Sequence, residues 1–166
     1  MKRIVLAVAV VAALAGCSSG SGSSAGGSLS SLHCPSLANV KATTGFTDLT
    51  QANSSTNKQD AAIICSYTPA ANANPVRQVQ ALVTLSPADA ADARQDAVKE
   101  GLTVTDAPQY GPGAFTATGT GTVYGTICTI QESSSGRIIE TSASASDLTI
   151  PDLCTVAGRL APLFRG

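Results

Sequence analysis

Val79-Gln80-Ala81-Leu82-Val83-Thr84-Leu85 is apolar at 79, 81, 83 and 85, the period of a strand with one buried face. The period changes at once in Ser86-Pro87-Ala88-Asp89. There a serine can cap, proline takes the first helical position, an acidic residue lies in the first turn, and Gly101 then stops the helix. Ala90, Ala93 and Ala97, with Val98 at the border, form a small-sided inner face. Such a helix is expected to lie close on a sheet.

The pattern continues outward on both sides. Upstream, residues 35–41 carry Leu37 and Val40 three apart with Gly45 beyond, a short first helix. Residues 61–67 read as a strand, and the polar stretch 51–60 before it as a loop. Downstream, 102–105 is a brief strand and 108–113 a loop. Residues 114–117, 122–131 and 137–144 form consecutive strands joined by Gly-rich or Ser-rich turns. Residues 149–152 open a last helix, in which Leu153, Val156, Ala157, Leu160 and Ala161 make an apolar stripe. Runs of strands with few helices predict an α+β fold, a mainly antiparallel sheet with helices packed on one face.

The chain begins with Lys2 and Arg3 and an unbroken apolar run over 4–14. Eleven helical residues reach only ~16 Å, about half a bilayer core, so this is a signal h-region rather than a span. Leu14-Ala15-Gly16-Cys17 resembles a bacterial lipobox, in which the Cys thiol receives a diacylglycerol and the chain is cut before it. Residues 18–31, almost all Ser and Gly, read as a solvated tether with an r.m.s. span of about 20 Å. The expected organisation is therefore a signal peptide over 1–16, lipidated Cys17 and tether over 17–31, and one α+β domain over 32–166. The 166 residues less the 16 before Cys17 leave 150, one ordinary domain. Without Lys2 and Arg3 the balance is eight basic against eleven acidic residues, net −3. No electrostatic footprint for nucleic acid exists in that balance. The expected location is the extracytoplasmic side of the cell membrane, held by acyl chains that contribute about 0.8 kcal/mol per buried CH₂.

Four cysteines remain for the domain: Cys34, Cys65, Cys128 and Cys154. An even number in an exported domain reads as two disulfides with three pairings open. The spacing splits them into an early and a late pair and favours Cys34 with Cys65 and Cys128 with Cys154. No CxxC pair exists and His33 is the single histidine, so neither a metal nor a cofactor is expected.

Catalytic patterns fail on inspection. Ser55-Thr56-Asn57-Lys58 matches S-x-x-K, but the companion elements of that chemistry are missing and the match is a chance one in a Ser-rich chain. No G-x-S-x-G elbow occurs, and Gly119-Thr120-Gly121 with Gly125 misses the dinucleotide spacing. Asp89, Asp92, Asp96 and Glu100 recur at spacings of three and four, the pattern of a solvated helix face. The chain is expected not to be an enzyme. Tyr67, Phe115 and Tyr124 are the candidate ligand-binding aromatics, against the alternative that each packs the core.

The lipobox, the Ser/Gly tether, His33-Cys34-Pro35-Ser36-Leu37, Cys65-Ser66-Tyr67, Tyr110-Gly111-Pro112-Gly113-Ala114-Phe115 and the closing Asp152-Leu153-Cys154 helix resemble a family of actinobacterial cell-envelope lipoproteins of uncharacterised function. The same arrangement is similar to the extracellular sensor domains of mycobacterial Ser/Thr kinases, disulfide-stapled sandwiches with a cleft. Pro112 departs from the turn those domains use. The resemblance implies a cell-envelope location and ligand sensing, and supplies no catalytic residue. The expected function is a membrane-anchored, non-catalytic module that binds or senses a small or lipidic ligand. The alternative is a scaffold or accessory subunit that holds another envelope protein through an exposed apolar patch.

Overall fold

The computed structural model describes residues 33–57, 61–85, 90–122, 125–134 and 136–165; at 90, 91, 121 and 122 only the backbone is described. The signal peptide, Cys17, the tether, the helix-opening residues 86–89 and Tyr124 lie outside the described residues. In chain order the elements are α1 (Leu37–Thr44), β1 (Leu49–Asn57), β2 (Ala62–Pro69), β3 (Arg77–Thr84), α2 (Ala90–Lys99), β4 (Thr103–Asp106), β5 (Phe115–Thr122), β6 (Gly125–Ser134), β7 (Arg137–Ala145) and α3 (Ile150–Leu160). A 3-10 turn, Ala161–Phe164, continues α3. No described helix is long and apolar enough to cross a membrane.

All seven strands form one sheet in the order β1-β2-β3-β7-β6-β5-β4, and every neighbouring pair is antiparallel. Two meanders build it. The first runs β1 to β3; α2 then carries the chain to the far edge, and β4 to β7 return strand by strand until β7 closes against β3. The fold is the α+β class read from the alternating patterns, with both disulfides in place between Cys34 and Cys65 and between Cys128 and Cys154.

One face of the sheet carries the core. Ile63, Cys65 and Tyr67 of β2, Val79, Ala81 and Val83 of β3, Cys128 and Ile130 of β6 and Ile139, Ala143 and Ala145 of β7 pack with Leu153, Val156, Ala157 and Leu160 of α3. Alanines on both partners bring α3 near enough for the buried Thr141 hydroxyl of β7 to donate to the Ala157 carbonyl at 3.0 Å. The opening of α3 is a capping box: the Thr149 side chain accepts from the Asp152 N–H, and the Asp152 carboxylate accepts from the Thr149 N–H. Helix α1 starts at the Ser36 cap and ends at Gly45, whose φ of 76° lies in the left-handed region that favours glycine.

Helices α1 and α3 share that face, as expected, whereas α2 lies on the other side. The Arg94 guanidinium of α2 stacks 5.5 Å from the Phe115 ring. Phe115 is in register with Gln131 and Glu140, so it projects away from Ile130 and the α3 layer. On α2 itself Ala93 and Ala97 are half-buried, but Val98 is 59% exposed and takes no part in the inner face.

The stretch 51–60 differs from its reading as a loop, because residues 51–57 belong to β1. Its residues 50–57 are all exposed, so burial imposes no alternation and the usual strand signal is missing. The strand forms for β2's sake. β2 alternates buried with half-buried residues, and its N–H and C=O groups on the β1 side need a partner.

Candidate functional site

A surface depression of about 350 Å³ opens between the end of α1, the start of β3 and the outer side of α3. Its floor and walls combine apolar Phe46, Leu148 and Val156 with Thr44, Thr155, Asp152, Arg77 and Arg159. That volume lies at the lower end of the range for small-molecule sites.

Local folding rules place each group. The Thr44 hydroxyl donates to the Val40 carbonyl at 2.8 Å and accepts the Phe46 N–H at 3.1 Å, turning the chain sharply after α1. Phe46 is thereby buried beneath Arg77, whose guanidinium lies 5.5 Å from the ring centroid. Arg77 starts β3 and donates to both carboxylate oxygens of Asp147, at 3.3 and 2.6 Å, with Asp48 at 3.6 Å. The hydrogen bond to Asp147 is the main cause that raises the Arg77 pKa, and the same bond lowers that of Asp147. Asp152 is engaged in its capping box, where the Thr149 hydroxyl donates to it at 2.6 Å. Arg159, near the end of α3, is exposed and makes no ion pair with a described residue. It is the cation left to meet an incoming anion, while Phe46, Leu148 and Val156 offer apolar contact beside it.

Of the aromatics singled out from sequence, Tyr67 and Phe115 do not line this cleft, and Tyr124 lies outside the described residues. Tyr67 is buried in the core, and its hydroxyl donates to the Pro35 carbonyl at 2.6 Å. Loss of hydration pushes its pKa up to about 12. Phe115 is buried on the opposite side of the sheet beneath Arg94. The cysteines do meet as pairs: Cys34 ties the chain ahead of α1 to β2, and Cys128 ties β6 to Cys154, the fifth residue of α3. Among the described residues no cluster of three His, Cys, Asp or Glu side chains could hold a metal.

Two charged features escaped the sequence reading. Glu132 is 1% exposed beside the apolar face, where Arg165 grips both its oxygens at 2.7 Å. Glu140 of β7 lies on the α2 side, in register with Gln131 and Leu82. Loss of hydration, helped by the negative charge of Glu100, raises its pKa to about 7. Strand periodicity assigns Glu140 to the outward-facing set but does not show that its half-buried setting strips water from the carboxyl.

No protein-family model, curated protein or solved structure matches the chain.

Proposed function

We propose that the chain is a membrane-anchored extracytoplasmic lipoprotein whose domain is a non-catalytic binding or sensing module. Its ligand is a small or lipidic molecule with an acidic head and an apolar body. The observation that carries this reading is the cleft itself, where exposed Arg159 and ring-stacked Arg77 stand beside Phe46, Leu148 and Val156. A guanidinium recognises a carboxylate or phosphate through paired N–H donors, and the neighbouring side chains desolvate what is attached to it. Lipobox, tether and staples agree with a domain that works outside the membrane. The resemblance to lipoproteins of the actinobacterial envelope and to kinase sensor domains belongs to the same reading.

Native mass spectrometry of the full chain, taken from its membrane in mild detergent, tests the proposal. A retained mass that vanishes on denaturation, and that Arg159→Ala fails to retain, is the expected result. If both proteins give only the lipidated polypeptide with its two disulfides, the ligand reading falls. A Cys17→Ala variant that stays with membranes refutes the anchor separately.

A further inference from the structure

The two arginines of the cleft differ in what they have left to give. The Arg77 fork is taken: Nε and Nη2 donate to Asp147 at 3.3 and 2.6 Å, Nη1 stands 3.6 Å from Asp48, and the guanidinium lies against the Phe46 ring. Hydroxyl and loop donors at the rim are spent as well. Thr44 donates to the Val40 carbonyl, and Thr155 to the Pro151 carbonyl at 2.9 Å. The N–H groups of Gly45 and Phe46 go to the Lys41 carbonyl and the Thr44 hydroxyl. Of the cations lining the cleft, Arg159 keeps its guanidinium open, with no ion-pair partner among the described residues. Negative charge surrounds that single fork. Asp152 lines the cleft, Asp48 and Asp147 flank Arg77, and α1 meets the space with its C-terminal end at Thr44 and Gly45, where a helix carries partial negative charge.

Taking the cleft as the binding site, as proposed above, we infer that it selects a monocarboxylate over a phosphate ester. The carboxylate lies in the Arg159 fork, and a short apolar body rests on Leu148 and Val156. Two parallel N–H donors match the two oxygens and the single charge of a carboxylate, and nothing of the head is left unpaired. A phosphate monoester carries three terminal oxygens and close to two charges near neutral pH. One fork satisfies two of those oxygens. The third, with the second charge, is left among Asp152 and the carbonyl end of α1 with no donor to meet it, and an unpaired acceptor at a contact surface opposes binding. The volume of about 350 Å³ agrees with a short body rather than a long acyl chain.

An NMR titration of the full chain in lipid nanodiscs, with empty nanodiscs as the blank, tests the selection. The probes are hexanoate and hexyl phosphate at about pH 8, where the phosphate ester is a dianion. Hexanoate is expected to shift the Thr155 and Arg159 amides saturably, with hexyl phosphate at least about fivefold weaker. Arg159→Ala should abolish the hexanoate shifts. Asp147 is exposed, and Asp147→Ala releases the Arg77 fork; it should bring the phosphate to within about twofold of the carboxylate. A single cooperative melt verifies that this variant is folded. Hexyl phosphate bound by the parent as tightly as hexanoate, and lost in Arg159→Ala, overturns the selection while the acidic-ligand reading stands. A phosphate as weak in Asp147→Ala as in the parent overturns it too, since donor shortage is then not the cause. If neither probe saturates, or the shifts ignore Arg159→Ala, the cleft is not an acid site, and the selection falls together with the reading it rests on.

Discussion

Removing the Arg165 side chain takes the main counter-charge from the Glu132 carboxylate, which is 1% exposed in the native fold and stands in register with Ile139. Both carboxylate oxygens currently accept from the guanidinium at 2.7 Å, through Nε and Nη2. Truncating one partner of a fully buried pair typically destabilises by about 3–5 kcal/mol, because the remaining charge is stranded. Arg165 is 44% exposed, so water can enter where its head group was and relieve part of that penalty. Arg165→Ala is therefore expected to destabilise by about 2–3 kcal/mol, seen in urea unfolding as a lower midpoint at unchanged slope. Arg165→Lys keeps the charge but loses the fork, and should fall between the two. The decisive comparison is the double variant. Adding Glu132→Gln to Arg165→Ala removes the stranded charge and should recover at least half the loss. If Arg165→Ala costs less than about 0.5 kcal/mol, or the second change recovers nothing, the carboxylate is not stranded and the argument fails.

Three further outcomes follow from the same geometry. Glu140 binds its proton more tightly folded than unfolded, since burial raises its pKa to about 7 from the ordinary 4.5. Stability must accordingly fall as pH rises between those values, by at most about 3 kcal/mol, and Glu140→Gln should flatten that slope in urea melts at stepped pH. Replacing Cys128 and Cys154 together by alanine opens a loop with a sequence separation of 26. The chain-entropy estimate is about 3.5 kcal/mol, measured as the difference in unfolding free energy from the oxidised parent. Thr149→Ala dismantles the capping box at the start of α3 and should lower stability by about 1 kcal/mol, with no effect on the disulfides by mass.

Elements whose own residues carry a period were legible before any coordinates. The strand at 79–85 overlaps β3, and the strands at 61–67 and 137–144 overlap β2 and β7. The stripe Leu153, Val156, Ala157, Leu160 and Ala161 is the buried face of α3 and the turn after it. The cysteine spacing anticipated both pairs, because each staples neighbours that a compact domain brings together. β1 was illegible for the opposite reason: a strand exposed along residues 50–57 shows no burial pattern.

Of the cleft, single residues could be read but not their meeting. Thr44, Arg77 and Arg159 come from three separate elements, and Arg77 finds its carboxylate 70 residues away. No local pattern encodes a contact at that range. The Glu132 carboxylate shows the limit most plainly. Along the chain it is an acidic residue just past a predicted strand, and only the return of the C-terminal turn gives it a buried site and a cation. Periodicity is a local property and determined the elements here; charge pairing, burial of ionisable groups and the cleft depend on distance in space, which tertiary structure alone decided.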